Sequence, residues 1–339
     1  MYVVSACKIF SYMHDGGMYT IEELKKTESL ASLIRRLGNP ESTILLHSPC
    51  CIFKIPDVDG VIGYRKTEDC AIVIGDPICL PQDVEKLTRA FHLHCEECNL
   101  KIVYFLVHRD FAEWAIHNGC CTLIQVGEEL SINPTGFQIR EKLRWKVHQA
   151  IQSGVSVKEY RTPDPSLENQ IRDSAQAWLK ERHGPQIHLG NIDFSNTADN
   201  RIFYAQQRDK IVGLLLLSPL DHIQGWVASS CLAISGAPVG TTEHLMCSTF
   251  ECLGNENSQF LCLGVVSGSK LGEVVGLGVV VKCLVGLALK IARVFFKLDA
   301  RKVYLNKYHP HARPTFLLCR GKLGLAELFA IKKMLNVKL

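Results

Sequence analysis

The chain lacks the signatures of several common function classes. No Gly-x-Ser-x-Gly elbow is present, and Ser267, within Val266-Ser267-Gly268-Ser269, has no glycine two residues before it. That argues against a Ser–His–Asp hydrolase. There is no P-loop, and Gly276-Leu277-Gly278 is not followed by the further glycine of a dinucleotide fingerprint. His92-Leu93-His94-Cys95-Glu96-Glu97-Cys98 holds one Cys-x-x-Cys, but no second pair follows at finger spacing. It also falls inside an expected helix, so packing is the better reading and no metal is expected. No basic region and apolar core open the chain in the manner of a secretory signal. No uninterrupted apolar run reaches the roughly 18–20 residues of a membrane span. Residues 274–296 come nearest, and Lys282, Lys290 and Arg293 interrupt them. They read as a buried or half-buried helix, with peripheral membrane contact ahead of a true span. The net charge of +4 is too small to establish nucleic-acid binding.

What is there describes a globular chain. It has 339 residues, 47% of them hydrophobic and 21% charged. That length suits two domains of about 150 residues each. The 15 cysteines are odd in number and include the adjacent pairs Cys50-Cys51 and Cys120-Cys121. Such a set suits reduced thiols buried as small hydrophobes, and a reducing cytoplasm, better than a disulfide framework. Periodicity and turn residues predict strands over 43–47, 51–55, 60–66 and 70–75. A helix over 81–98, a strand over 101–107, a helix over 110–118 and a strand over 122–126 follow, then a basic helix over 141–154 and a strand over 155–160. The Pro-rich stretch 161–166 is the best joint. Beyond it come a helix over 167–182, strands over 202–207, 211–217 and 224–234, a helix over 242–253 and a strand over 260–264. The 274–296 helix and a last strand region carrying Lys307 and Arg313 close the chain. Each half thus runs meander, helix, strand, helix, strand. The expected domains are 1–160 and 161–339.

Ser235-Gly236-Ala237-Pro238-Val239-Gly240-Thr241-Thr242-Glu243 is the most informative stretch. A strand gives way there to a turn that opens a helix with an acid in its first turn. The next strand ends in the small-residue loop after Gly264. Two such loops side by side offer free backbone N–H groups to an anionic or carbonyl oxygen. Other motifs keep a fixed order around it: Gly75-Asp76-Pro77, Gly127-Glu128-Glu129-Leu130, Asn200-Arg201-Ile202-Phe203-Tyr204, and Lys307-Tyr308-His309-Pro310 leading to Arg313-Pro314. Together they resemble the C-terminal synthase domain of phosphatidylglycerol lysyltransferases, over most of the chain from Gly75 onward. The chain departs from that pattern where Arg313 precedes a proline instead of following one.

The resemblance implies an α/β fold of two tandem acetyltransferase-like (GNAT) domains, with the active site in the second. It implies aminoacyl transfer from a charged tRNA to a phosphatidylglycerol-like hydroxyl, with aminoacyl-tRNA as donor and no cofactor. It implies work in the cytoplasm, with peripheral contact to membrane phospholipid at the inner face. Glu243, Ser267 and Lys307 are the expected catalytic residues; with Arg313 they are expected to converge on one cleft of the C-terminal half, the acid and the basic pair on opposite sides of the reacting ester. Glu129, Arg201, Tyr308 and Arg313 are the expected substrate contacts, and Glu129 and His309 are the candidates for a general base. Glu243 has two readings: an acid favoured by the helix dipole, or the partner of an amino-acid ammonium. Lys307, Arg313 and Arg320 are either a solvated basic face or a phosphate clamp. A coenzyme-A-dependent N-acyltransferase and a non-catalytic lipid- or RNA-binding protein are the alternatives.

Overall fold

The computed structural model describes residues 18–19, 29–47, 50–67, 69–181, 200–267, 272–278, 282–283, 285–287 and 298–334. The elements run β1 (Met18–Tyr19), α1 (Leu30–Leu37), a 3-10 segment (Pro40–His47), β2 (Cys51–Phe53), β3 (Gly60–Lys66), β4 (Cys70–Ile74) and β5 (Ile78–Cys79). Then come α2 (Val84–Glu97), β6 (Lys101–Val107), α3 (Arg109–His117), β7 (Thr122–Ile132), α4 (Glu141–Gln152), β8 (Ser156–Tyr160) and α5 (Pro165–Glu181). The remainder is β9 (Arg201–Gln207), β10 (Lys210–Leu220), β11 (Gly225–Ala233), α6 (Thr241–Asn255), β12 (Phe260–Ser267), β13 (Val274–Val275), α7 (Leu298–Asn306), β14 (His311–Cys319) and α8 (Leu325–Met334).

Local chemistry accounts for these elements. In α2 the buried residues Leu87, Thr88, Phe91, His92 and Cys95 recur at helical spacing. His92 meets the Tyr104 hydroxyl at 2.8 Å across the core, which fixes it in a packing role. All five residues of β4 are buried, as a central strand requires. The Ser29 side chain caps α1 by accepting from the Ser32 N–H. Residues 43–47 are not the expected strand. Asn39 N–H donates to Ser42 Oγ at 3.1 Å and Thr43 Oγ1 donates to Pro40 O at 2.7 Å, and these local bonds wind the segment into a 3-10 helix. Lys307 likewise follows a helix, α7, not a strand. Most of the expected 274–296 helix lies outside the described residues, and its first two residues form β13, paired with β7.

The described strands join into one mixed, 14-stranded sheet in the order β1-β2-β3-β4-β6-β14-β7-β12-β11-β10-β9-β8, with β5 and β13 beside it. Two runs of the same order build it. The meander β2-β3-β4 leads through α2 to β6, parallel to β4. The meander β9-β10-β11 leads through α6 to β12, parallel to β11. Each run ends in one more strand, and the two last strands are exchanged. β14 lies between β6 and β7, and β7 lies between β14 and β12. Across the stretch 161–166, β8 and β9 pair along Ser156–Tyr160. α4, which precedes that stretch, shares its core with α6 through Leu143, Ala150, Leu245 and Phe250.

A single apolar layer crosses the sheet. It joins Leu33, Ile34 and Leu45 of the N-terminal segment to Val103, Ile124, Val227, Cys262 and Leu317 from both runs. Each such side chain contributes about 1.5–3 kcal/mol on burial, so this layer couples the two runs. No helix among the described residues is long and apolar enough to cross a membrane.

Candidate active site

β11 and β12 pair in parallel only from Gly225–Val227 to Phe260–Cys262. Beyond that, β11 stays with β10 and β12 stays with β7. The edge of β12 that faces β11 therefore has no strand partner past Cys262. A bulge between Cys262 and Gly264 turns the strand. Gly264 has φ +100°, and a Cβ there would lie 2.8 Å from Arg301 Nη2. Glycine thus permits both the turn and the close approach of the guanidinium.

The mouth of this opening carries Glu243 from the first turn of α6 and Lys307 from just past α7. Lys307 Nζ donates to Glu243 Oε1 at 2.7 Å, and Thr242 Oγ1 donates to Glu243 Oε2 at 2.9 Å. The ammonium lies 3.4 Å from the centroid of the Tyr304 ring and 5.1 Å from that of Tyr308. The two tyrosine hydroxyls stand 3.2 Å apart, and the Tyr308 ring abuts Phe250 edge-on. Burial pushes the Glu243 carboxyl up, but the hydrogen bond and charge of Lys307 more than offset this and hold it below the ordinary carboxylate range. Burial draws the Lys307 ammonium below the ordinary lysine range, against the pull of Glu243. A carboxylate beside aromatic faces is a receptor for an ammonium group. Arg301 reaches the same opening, its guanidinium close against Gly264 of β12.

Glu243 and Lys307, expected to converge, do so. They were expected on opposite sides of a reacting group, whereas the structure joins them in one ion pair. Ser267 ends β12 opposite Gly127 of β7, and its buried Oγ has no hydrogen-bond partner. Thr315 Oγ1 of β14 also lies across from Gly127 and is equally unpaired. A Cβ on Gly127 would sit 2.5 Å from Val266 O and 3.2 Å from Thr315 Oγ1. Arg313 is exposed at the start of β14, opposite Glu129 in the ladder.

Glu129 itself is fully buried on β7. Its Oε2 lies 3.1 Å from His108 Nε2. Glu41 Oε2 lies 3.3 Å from the same nitrogen, and Asp76 Oδ2 lies 2.9 Å from His108 Nδ1. Burial draws the imidazolium down, but Asp76, Glu129 and Glu41 hold it up to about 11. Glu41 is pushed up to about 8 by its burial, against the charge of His108.

Arg201 is elsewhere. It donates to Glu159 at 2.6 Å and to both carboxylate oxygens of Glu256 at 2.5 and 2.8 Å, beside the rings of Phe203 and Trp226. Glu256 lies at the far end of α6 from Glu243, about 20 Å away at 1.5 Å per residue. Arg201 is committed to these carboxylates and not to the opening.

Sequence reasoning missed Tyr304, Arg301, Thr315, Glu41 and His108. Tyr304 had a signal, since it stands one helical turn before Tyr308. Asp76 stood inside the quoted Gly75-Asp76-Pro77 without being singled out.

The model of the C-terminal region of phosphatidylglycerol lysyltransferase matches residues 32–319. The chain belongs to that family. No curated protein matches it. Among solved structures it is similar to L-PGS from Bacillus licheniformis, with TM-score 0.76 and 17% identity over 91% of this chain and 95% of that one. It is also similar to the C-terminal domain of a lysylphosphatidylglycerol synthetase from Agrobacterium fabrum, with TM-score 0.72 and 14% identity over 92% and 94%. FemX shares the fold more distantly, with TM-score 0.54 and 8% identity over 94% and 99%.

Proposed function

We propose that this chain transfers an aminoacyl group from a charged tRNA to the hydroxyl of a phosphatidylglycerol-like lipid. One observation carries the reading: an ionised carboxylate, Glu243, stands with two tyrosines at the mouth of a splayed strand pair. That is a binding site for the α-ammonium of an aminoacyl ester. Glu243 exchanges Lys307 for that ammonium, which frees Lys307, with Arg313 nearby in sequence, to hold phosphate, while Tyr308, buried against Phe250, backs the ammonium site and does not contact phosphate. The lipid hydroxyl oxygen attacks the ester carbonyl carbon, the bond from that carbon to the ribose oxygen breaks, and the hydroxyl proton passes to the ribose. No covalent enzyme intermediate is needed. N–H groups on the unpartnered edge of β12 over 265–267, with Ser267, stabilise the developing oxyanion. The transfer itself calls for no group-carrying cofactor.

The two runs are read as acetyltransferase-like units that exchange their last strands, so that β7, α4 and β8 go with the second run and β14 with the first, and the units are not the contiguous halves 1–160 and 161–339. They are read as working in the cytoplasm with peripheral contact at the inner face of the membrane. The coenzyme-A reading is disfavoured at the N-terminus of α6. Gly240 there has φ +89°, and a Cβ would fall 2.0 Å from Lys146 O of α4. The backbone of α4 thus sits where a diphosphate would need to approach. The test is transfer of radiolabelled amino acid from a panel of charged tRNAs into a lipid extract. Label in the organic phase supports the reading, and label that stays aqueous with every tRNA refutes it.

A further inference from the structure

Glu41, Asp76, His108 and Glu129 come from the 3-10 segment, the β4–β5 turn, the start of α3 and the middle of β7. No ligand-spacing pattern links them in the sequence, and the absence of a metal was expected. The geometry points to a structural divalent-cation site of the zinc type formed by His108 Nε2, Glu41 and Glu129.

His108 Nε2 lies 3.1 Å from Glu129 Oε2 and 3.3 Å from Glu41 Oε2, and the three ligand atoms all fall within 4.8 Å of one another. Donors bound to one tetrahedral ion at about 2.0–2.2 Å are about 3.3–3.6 Å apart. The nitrogen therefore stands from each of the two oxygens nearly as a metal would hold it. His108 is also oriented as metal-binding histidines are. Its Nδ1 lies 2.9 Å from Asp76 Oδ2, and Asp76 is fixed by the His108 N–H at 3.0 Å and by Asn39 Nδ2 at 2.8 Å. Such a carboxylate–histidine pair aims the Nε2 lone pair at the ion.

A second observation is independent of the spacing. Glu41 is 1% exposed and Glu129 0%. Both Glu41 oxygens and Glu129 Oε1 are buried with no hydrogen-bond donor. Buried carboxylate oxygens without donors are costly unless a cation meets them. Among the described residues, His108 is their one cationic partner. The other such cluster among the described residues, Glu159, Cys252 and Glu256, already has a cation in the Arg201 guanidinium. Two glutamates and a neutral imidazole around a divalent ion form an electrically neutral group. The two Oε1 atoms are free to complete its shell. An imidazole donor favours zinc-type ions over Mg2+ or Ca2+, which take oxygen ligands. The ion would tie the N-terminal segment to the sheet.

The test uses the full chain, stripped with chelator and titrated with Zn2+ by calorimetry. One equivalent should bind. Glu129→Gln and Glu41→Gln should each weaken binding by at least about tenfold, and Asp76→Asn by about 10–100-fold. Circular dichroism of the metal-free variants checks that they fold. A measurement that needs no variant runs in parallel: the Co2+-loaded parent should show d–d absorption without a thiolate charge-transfer band. Absence of a stoichiometric site, binding undiminished in folded Glu129→Gln, or a thiolate band placing the ion on cysteines would each overturn the inference.

Discussion

Replacing Lys307 by Met should reverse the sign of the contribution that Glu243 makes to stability. In the parent, the pair is joined at 2.7 Å, with side chains 26% and 9% exposed. A charge-assisted hydrogen bond contributes about 1.5–3 kcal/mol. The residual hydration of Lys307 puts this one in the lower part of that range, about 1.5–2 kcal/mol. Glu243 titrates below its ordinary value when folded. Its contribution is therefore fully present above the unfolded value, about pH 4.3, and is lost as pH falls through the lower folded value. In Lys307→Met the hydrogen bond and charge of Lys307 are gone, and burial acts on the carboxyl against only the Thr242 hydroxyl and the Glu243 backbone N–H, each a smaller influence than burial. The folded value then rises above the unfolded one, so ionised Glu243 destabilises at neutral pH. Glu243→Gln should accordingly cost about 1.5–2 kcal/mol in the parent at pH 7 and be neutral or stabilising in the Lys307→Met background. Urea unfolding of the four proteins of this double-mutant cycle at pH 7 and pH 4 measures the coupling. A coupling energy under about 0.5 kcal/mol at pH 7 would refute the reasoning. In the transfer assay, the same Glu243→Gln change should lower kcat/KM for charged tRNA by about tenfold to a hundredfold.

Arg201→Met should destabilise by about 1.5–3 kcal/mol, since it removes charge-assisted hydrogen bonds and leaves Glu159 and Glu256 only the exposed Arg161 as a cation, and leave KM for charged tRNA unchanged; a raised KM with stability intact would return Arg201 to the substrate. Gly240→Ala should cost at least about 2 kcal/mol through positive φ and collision with the Lys146 carbonyl, read as a lowered urea midpoint, and an unchanged midpoint contradicts that packing. Burial draws His92 down to about 4, so the unfolded chain takes up a proton between about pH 6.5 and about pH 4 that the native state refuses. Stability should fall as pH falls through that window, and His92→Gln should flatten the fall; an equal slope in the variant would show that other groups cause it.

Where periodicity and turn residues agreed, the sequence was readable. The stretch from α2 to the start of β7 follows the expected order, with bounds within three residues, because Pro81 and Asn118 punctuate it. Residues 43–47 misled because the apolar run Ile44-Leu45-Leu46 suits a strand, while Asn39, Ser42 and Thr43 bond locally. β7 was expected to stop at Val126, yet it runs on through Glu128 and Glu129, whose charges mask a strand held by Lys302 on one side and His108 on the other. The meeting of Glu243 with Lys307 was legible from motif order. Their direct pairing was not, since a family pattern says which residues converge and not which of them touch. Arg201 stood in a matching motif for structural reasons. The exchange of the last strands left no trace, because alternation along a strand fixes which face is buried and not which neighbour it has.

That exchange sets a timetable for the newborn chain. β7 ends at Ile132, but β14, which fills the gap between β6 and β7, begins only at His311. At about 5–20 residues per second, a ribosome needs on the order of ten seconds or more to make what lies between. Through that interval the facing edges of β6 and β7 await their partner. The N-terminal run cannot close its sheet before the C-terminal run has been synthesised and threaded home. A ribosome stalled between Ile132 and His311 leaves two open strand edges, which are surfaces that holdase chaperones and neighbouring nascent chains compete to cover.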